Sequence, residues 1–327
     1  MKHADNNPFK ETIAQIAETH KAKKIGKLDK PNQIVLPFWE EPKRAIPSFM
    51  FRCALFSAIQ SSDRKIYTEL TRLASLNDMH VSFQGQQLNQ EDLDVFEQIM
   101  HMISRQKSIT DGCQFSAYTL LKNLEKNNGG EQHKWLKKCI IRLCTAFIEV
   151  KYKGIEVFGT LLIGGERDTD TQHHVLNCNP RMRDLYDFGW TKTVWEERQQ
   201  LRRKPLALWL SGWIASHTQI NPMSVEVYKN ITGSNNGKIA DFSRHLSRAL
   251  EDLKNMNIIK FSLIEGGIVY INKLPSNSQR RFLSGKAAKE KIKNMGTTRE
   301  ASVKKGEKIR TELHRIHKKY EQKTSDK

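Results

Sequence analysis

The sequence predicts a helix-dominated α+β fold built as two tandem domains. One observation behind this prediction is the order of the apolar segments, in which helical spacing alternates with short apolar strands that meet at a glycine. The other is repetition, because the same order of elements occurs in residues 90–163 and again in residues 201–273. In each copy a helix, a short helix, a glycine-containing loop, a basic helix and a hairpin follow one another. We therefore expect two small cores of similar design.

In the first copy, apolar spacing predicts helices over residues 90–102, 115–124 and 131–148. The glycines of the Asn127-Asn128-Gly129-Gly130 run separate the second helix from the third. A hairpin is expected to follow, turning at Lys153-Gly154. The third helix carries four basic residues around its apolar face: Lys134, Lys137, Lys138 and Arg142. These residues could contact DNA as an auxiliary surface or could line a dimer surface, and the residues alone leave both open.

In the second copy, a long helix from residue 201 has its apolar residues on roughly one side: Leu206, Leu208, Leu210, Trp213 and Ile214. A shorter helix over residues 224–231 lies between the stop signals Pro222 and Gly233. The next helix has a narrow apolar stripe, with Arg244 and Arg248 on the opposite side. The stripe consists of Ile239, Phe242, Leu246, Ala249, Leu250 and Leu253.

Two apolar strands, residues 258–264 and 268–271, are separated by Glu265-Gly266-Gly267, and glycine tolerates the backbone geometry of a tight hairpin turn. This order of helices and hairpin is that of a winged helix-turn-helix, a module that reads DNA. The sequence therefore predicts two winged-helix domains in tandem, with polar N- and C-terminal extensions.

The charge of the chain favours a polyanionic partner. Its 54 Lys and Arg residues against 36 Asp and Glu residues leave a formal charge of +18 and a pI near 9.6. Nucleic acid is the commonest such partner, and association with ribosomes or a membrane surface is the alternative. No apolar run is long enough to span a bilayer, and the N-terminal residues have no apolar signal core. Five cysteines without a CxxC pair indicate a reduced, cytoplasmic protein.

The basic helix of the second copy is the strongest candidate for DNA contact. Arg and Lys pair with guanine and Asn with adenine in a major groove, and the start of the helix should reach base edges. Arg248, further along, is better placed for phosphate. The alternative is a solvated face, with Arg244 and Arg248 beside Glu251 and Asp252. The candidate residues, with two lysines that flank the hairpin, are Asn235, Asn236, Lys238, Asp241, Arg244, Arg248, Lys260 and Lys273.

These interpretations divide the chain into five segments. A flexible polar segment (1–30) and an extended proline-rich linker (31–47) precede a first winged-helix domain (48–190) for dimerisation and auxiliary DNA contact. A second winged-helix domain (191–275) binds specific DNA, and a basic tail (276–327) is expected to be disordered. Residues 284–327 contain 14 Lys and Arg residues and 6 Asp and Glu residues, and this excess of positive charge would add non-specific attraction to phosphate.

A short peptide in the linker has a second interpretation. Gln33, Leu36 and Phe38 form a QxxLxF pattern similar to the extended peptides that dock on the bacterial sliding clamp. A proline-rich context suits such a peptide, because little conformational entropy remains to be lost on binding. Alternatively, Leu36, Phe38 and Trp39 anchor the linker onto the first domain.

Two stretches of the chain resemble a known family. Residues 36–56, LPFWEEPKRAIPSFMFRCALF, resemble the TrfA-type initiators of broad-host-range plasmid replication. Residues 231–253 resemble the same family through Gly233-Ser234, Lys238-Ile239, Phe242, Ala249 and the acidic pair before Leu253. Asp241 departs from the family pattern, in which this position can be basic.

The resemblance implies two winged-helix domains, binding to repeated sites (iterons) in a plasmid origin, and local opening of the strands. It also implies recruitment of the host initiator, the replicative helicase and the sliding clamp, and a monomer–dimer equilibrium. The rival interpretations are a winged-helix transcriptional repressor, a nicking enzyme and a basic structural protein without sequence preference.

The motifs expected of an enzyme are missing. The run from Gly233 to Lys238 is one residue short of a phosphate-binding loop, and Ile239 replaces the Ser or Thr that would bind magnesium. His173, His174 and Cys178 lack the spacing of a zinc site. A nicking enzyme would need a His-hydrophobic-His pair beside a nucleophilic tyrosine, and no such pair occurs. We expect no catalytic activity, no metal and no cofactor.

Overall fold

The computed structural model describes residues 36, 39–76, 79–105, 113–152, 154–167, 173–179, 181–273, 279–280 and 284–285. It divides into two compact units. The first comprises Met1–His217 and Asn221–Asn272, and the second Thr218–Ile220 and Lys273–Lys327. Every helix and strand named below belongs to the first unit. The predicted flexible segment, residues 1–30, lies outside the described residues, as does most of the predicted tail.

The fold is α+β, as predicted. Its strands are β1 (Lys43–Pro47), β2 (Phe56–Ser57), β3 (Ile66–Leu73), β4 (His80–Gln86), β5 (Leu88–Asn89), β6 (Cys113–Ser116), β7 (Phe147–Tyr152), β8 (Ile155–Thr160), β9 (Leu162–Arg167), β10 (His173–Cys178), β11 (Trp190–Val194), β12 (Met223–Ser224), β13 (Phe261–Glu265) and β14 (Ile268–Asn272). Its helices are α1 (Gln90–Ser104), α2 (Ala117–Asn123), α3 (Gly130–Thr145), α4 (Met182–Tyr186), α5 (Trp195–Gln200), α6 (Pro205–Ser216), α7 (Val225–Ile231) and α8 (Ile239–Asn255).

The strands form small sheets around two groups of helices. An antiparallel sheet has the order β3-β4-β7-β8, and two three-stranded sheets have the orders β6-β10-β9 and β12-β14-β13. β1 pairs with β11, and β2 pairs in parallel with β5. We refer to the elements from β1 to α5 as the N-terminal lobe and to those from α6 to β14 as the C-terminal lobe. None of the described helices has the length and apolar character needed to cross a bilayer.

The helices predicted in the first copy are present with shifted ends. Phe115 and Ser116 belong to β6 rather than to a helix. The hydroxyl of Ser116 accepts a hydrogen bond from the Thr119 N–H, so α2 begins at Ala117. The third helix ends at Thr145, three residues before the predicted end, and Phe147 already belongs to β7. The sequence pattern did not predict β3, β4 or the β9–β10 pair. Strands β3 and β4 extend the predicted hairpin into a four-stranded sheet, whereas β9 and β10 form a separate sheet with β6.

Residues 43–47 are not a linker. In β1 the residues from Lys43 to Pro47 pair antiparallel with those from Val194 to Trp190, and Ala45 and Ile46 belong to the core. The structure therefore corrects this part of the proline-rich linker. The boundary predicted between residues 190 and 191 falls inside β11, which β1 holds in the N-terminal lobe.

Helix α6 is buried on more than one side, whereas the sequence predicted a single apolar face. Trp209 and Ala207, which lie outside the predicted stripe, are buried as fully as Leu210. The reason is that α6 packs on α8, on β11 and on the short 3-10 turn Ser48–Phe51. A Cβ atom built on Gly212 would lie 2.2 Å from the Phe51 ring, so glycine allows this close approach. Both lobes therefore share α6.

The C-terminal lobe contains the predicted short helix, basic helix and hairpin. The Ser224 hydroxyl accepts a hydrogen bond from Val227 N–H and caps α7. β13 and β14 pair antiparallel, with Phe261 opposite Asn272 at one end and Glu265 opposite Ile268 at the other. Gly266 and Gly267 make the turn with φ of +58° and +76°, a region that glycine enters without a steric penalty. β12 adds a third strand along β14.

Candidate nucleic-acid interface

Helix α8 has one buried face and one exposed face. Phe242 is 1% exposed, and Leu246, Ala249, Leu250 and Leu253 are buried with it. This part of the predicted apolar stripe is confirmed. Ile239 is a correction: it occupies the first position of α8 and is 45% exposed, so the buried stripe begins at Phe242.

The exposed face of α8 carries the predicted cations. Lys238 immediately precedes the helix, and Arg244 and Arg248 are exposed along it. Arg244 donates from Nη2 to Oδ1 of Asp241, three residues earlier, and the two side chains are 71% and 41% exposed. Within the described residues, Lys238 and Arg248 form no salt bridge. The face is therefore open and cationic, with one carboxylate paired to one guanidinium.

The two asparagines before α8 are engaged within the protein. Asn235 donates from Nδ2 to the carbonyl of Asp63 in the N-terminal lobe, at 2.6 Å. Nδ2 of Asn236 lies 3.2 Å from Nδ1 of His245 on α8. Asn235 is exposed, but its amide nitrogen is already used in the contact between the lobes. A role for either asparagine in reading a base stays a prediction.

His245 is a residue of this surface that the sequence pattern did not predict. It is exposed on α8, four residues after Asp241 and three before Arg248, so helical spacing alone places it beside the predicted face. A groove of about 550 Å³ borders the same helix, and Ile59, Leu206, His245 and Arg248 are among the residues that line it. Arg248 therefore lies at the edge of this groove.

The loop from α7 to α8 is docked on the N-terminal lobe. The Thr232 carbonyl accepts a hydrogen bond from Ala58 N–H at 2.7 Å, and the Gly233 carbonyl accepts one from Nε2 of Gln87 at 3.4 Å. Gln87 Nε2 also donates to the Ser57 hydroxyl at 2.9 Å. We call these contacts, together with the bond from Asn235 to Asp63, the lobe joint. The lobe joint therefore holds the loop that leads into α8 against the N-terminal lobe.

The two lysines that flank the hairpin differ in environment. Lys260 is exposed, and its backbone N–H donates to the Asn272 carbonyl beside the start of β13. Lys273 belongs to the second compact unit and is half-buried, and burial lowers its pKa to about 8. Lys260 therefore has the more accessible charge of the two.

The auxiliary surface on α3 keeps its lysines but not its arginine. Lys134, Lys137 and Lys138 are exposed, and Lys134 pairs with Glu131 at 2.7 Å. The Arg142 side chain is only 12% exposed, and its Nη2 lies 2.8 Å from Oδ1 of Asp92. Arg142 is therefore not part of the predicted surface, because its guanidinium forms an ion pair with the fully buried Asp92 carboxylate. No local pattern indicates this contact, because 50 residues separate the two side chains.

Leu36 is the one residue of the predicted clamp-binding motif that lies within the described residues. Leu36 is 4% exposed and belongs to the core cluster. Trp39 is also in that cluster, and its Nε1 donates to Nδ1 of His101 at 2.8 Å. Gln33 and Phe38 lie outside the described residues. Leu36 and Trp39 thus act as the anchor that was the alternative interpretation of this peptide, and docking on a clamp would require Leu36 to leave the core.

Over the part of the chain that the structure describes, no group of three His, Cys, Asp or Glu residues could hold a metal ion. The backbones of His173, His174 and Cys178 form part of β10.

The chain is similar in sequence to known proteins. The sequence model of one family, described as TrfA protein, matches residues 10–273. The plasmid replication initiator protein TrfA of Escherichia coli is 20% identical over 242 residues, and the match covers 71% of this chain. The chain spans 62% of the length of that relative.

Two solved structures of domains 2 and 3 of RctB, one of them of selenomethionine derivatives, are 12% identical to the chain. Each match covers 69% of this chain and nearly all of the solved one (98% and 97%), with TM-scores of 0.46 and 0.44. The match of the TrfA model, by contrast, runs from before β1 to the end of β14 and so includes both lobes. This chain belongs to the TrfA protein family.

Proposed function

We propose that this protein initiates plasmid replication by binding repeated duplex sites in an origin through α8. The observation that carries the proposal is the division of α8 into a buried apolar face and an exposed face with Lys238, Arg244 and Arg248. Membership of the TrfA family and the name of the Escherichia coli relative support a role in initiation.

The order of elements in the C-terminal lobe supports a winged helix. In this proposal α6 and α7 support α8 as the recognition helix, and the β13–β14 hairpin is the wing. Arg244, nearer the start of α8, contacts a guanine edge in the major groove. Arg248, further along, contacts phosphate, as does Lys260 at the hairpin. The exposed lysines of α3 provide the auxiliary surface.

The proposed mechanism uses binding energy and no catalysis. Several copies on adjacent repeats bend the neighbouring A·T-rich DNA until its strands part, because the additional protein–DNA interactions that the bend permits offset its elastic cost. Recruitment of the host initiator and helicase is carried over from the family. We place no clamp contact at Leu36, since this residue is in the core.

A gel-shift titration on duplexes that carry the origin repeats tests the DNA-binding surface. Arg244→Ala should weaken specific binding by about 1–3 kcal/mol if Arg244 reads a base. Arg248→Ala should weaken binding to all sequences and reduce the salt dependence by about one phosphate contact. Lys43→Ala is the control, because it removes a partly exposed positive charge from β1 rather than from α8. Unchanged affinity in both arginine variants would refute the proposed surface.

Footprinting distinguishes an initiator from a repressor. An initiator should protect each member of an array of direct repeats and make thymines of the adjacent A·T-rich segment reactive to permanganate. Protection of a single paired operator, without reactive thymines, would favour the repressor.

A further inference from the structure

The exposed face of α8 carries one acid among its cations. Asp241 is the third residue of α8 and the acidic residue of its first turn. Its Oδ1 accepts a hydrogen bond from Nη2 of Arg244. The carboxylate therefore lies on the surface that the proposed function assigns to duplex DNA.

Stability of the fold does not account for this placement. Ion pairs as exposed as this one contribute little to folding. An acid near a helix N-terminus does interact favourably with the helix dipole, but any position in the first turn outside the DNA-facing surface would serve that purpose. On a surface that binds DNA, a carboxylate repels phosphate, so Asp241 opposes the non-specific part of the binding.

The geometry of the pair leaves Arg244 able to bind a base. A guanidinium has five N–H donors, and the contact with Asp241 uses one of the two on Nη2, so the second donor of Nη2 and those of Nη1 and Nε remain. Guanine offers two acceptors, O6 and N7, in the major groove. Arg244 can therefore contact a guanine while Asp241 still holds it. A phosphate reached from the side would draw the guanidinium away from the carboxylate.

We propose that Asp241 determines specificity by holding Arg244 toward a guanine edge in the major groove and by keeping phosphate away from this part of α8. The ligand is a duplex with guanine at one defined position. This inference rests on the proposed function, because it requires α8 to face duplex DNA. Asp241 acts through Arg244 and is a positioning residue.

The test compares Asp241→Asn with the wild type in selection from a library of randomised duplexes. The wild type should enrich guanine at one position, and the variant should enrich it less at that position while keeping the rest of the preferred sequence. Affinity for random-sequence duplex should rise in the variant, so that the ratio of specific to non-specific affinity falls about tenfold. A role in helix stability alone would lower the melting temperature without changing the preferred base.

Glu251→Gln is the matched control. Glu251 lies on the same helix, is 56% exposed and pairs with Lys254 three residues later at 3.6 Å. The substitution removes the same charge at the far end of α8 and should leave the preferred sequence and the affinity ratio as in the wild type. If Glu251→Gln lowers the ratio as much as Asp241→Asn does, the effect is one of net charge and the proposal is overturned.

The remaining outcomes are also decisive. Should Asp241→Asn fail to fold at the assay temperature, Asp241→Glu keeps the charge but moves the carboxylate, and the proposal still requires reduced preference for guanine. If the wild type enriches no sequence, both the proposed function and this inference fail. If the wild type enriches a sequence and both Asp241 variants enrich it equally well, only this inference is wrong.

Discussion

At the scale of single residues, buried charge holds the N-terminal lobe together. The Asp92 carboxylate is fully buried and meets Nη1 of Arg64 at 2.7 Å and Nη2 of Arg142 at 2.8 Å. It also accepts the backbone N–H of Asn89 in the capping box of α1. Because these partners come from different parts of the chain, one carboxylate joins α1, α3 and the segment just before β3. Removing one arginine leaves the buried Asp92 carboxylate with incomplete compensation of its charge.

Arg142→Ala should therefore lower the free energy of unfolding by about 3 kcal/mol, as expected when one member of a buried ion pair is deleted. Lys138→Ala, on the exposed face of the same helix, should change it by less than about 0.5 kcal/mol. Urea denaturation of the two variants measures the difference. Equal stability would mean that Arg142 is as dispensable to the fold as a surface lysine.

Glu97 should make the stability depend on pH. It is fully buried, with Nε of Arg198 at 3.3 Å from its Oε2. Burial raises its pKa to about 7, although Arg198 and Arg44 act to lower it, and nearby Asp94 also raises it. The folded state thus binds the proton more tightly than the unfolded chain does. The resulting stabilisation is complete below the ordinary pKa of 4.5 and is lost as the pH rises through about 7.

Glu97→Gln keeps the shape of the side chain and removes its ionisation. Between about pH 5 and about pH 8 the wild type should lose roughly 1–3 kcal/mol more unfolding free energy than this variant. Denaturation curves at several pH values provide the measurement, and Glu226→Gln, at an exposed position on α7, controls for the loss of a charge. Parallel pH profiles for the wild type and Glu97→Gln would show that Glu97 does not titrate in this range.

At the scale of elements, the loop from α7 to α8 depends on close packing at Gly233. Its φ is +64°, and a Cβ atom there would lie 2.3 Å from Oγ and 2.8 Å from Cβ of Ser57. Ser57 is fully buried and cannot move aside. Gly233→Ala should destabilise the protein by about 2–4 kcal/mol, the sum of the backbone term and the steric clash.

Gly266→Ala separates the two contributions. Gly266 has a similar φ of +58°, but a Cβ atom there meets nothing within 4 Å, so only the backbone term of about 1 kcal/mol should be lost. Guanidinium denaturation of both variants gives the comparison. If the two lose the same stability, close packing at the lobe joint contributes nothing.

The sequence predicted those elements whose causes are local. Spacing along α8 identified Phe242 and Leu253 as buried, and the paired glycines located the β13–β14 turn. The prediction failed where the cause is a distant partner. Residues 43–47 were assigned to a linker because nothing near them in the chain shows that β11 will pair with them, and the second buried side of α6 is set by Phe51.

On the candidate surface, too, the sequence predicted what depends on local spacing and not the contacts with distant residues. Arg244 was placed on the exposed face from spacing alone, and its contact with Asp241 is local. Asn235, by contrast, contacts Asp63, 172 residues away, and no local pattern indicates this. The repeated order of elements was visible in the sequence, but the lobe joint, whose N-terminal partners lie in residues 57–87, was not.

At the scale of the whole molecule, the helices and strands of both lobes belong to one compact unit. Helix α6 packs against elements of both lobes, and the lobe joint adds hydrogen bonds that tie the loop before α8 to Ala58, next to β2, and to Gln87, next to β5. Strand β11, which pairs with β1, also contacts α6. Neither lobe can unfold without exposing apolar surface of the other, and this favours a single cooperative transition.

Hydrogen exchange measured by mass spectrometry tests whether the lobes unfold together. Peptides from β7 and β8 in the N-terminal lobe and from α8 in the C-terminal lobe should open with the same free energy under native conditions. Gly233→Ala, although it lies in the C-terminal lobe, should lower the protection of both sets of peptides equally. Gly266→Ala, at the hairpin turn, should lower both by the smaller amount. Lobes that fold independently would instead lose protection in Gly233→Ala only from α6 onward, while β7 and β8 kept the exchange rates of the wild type.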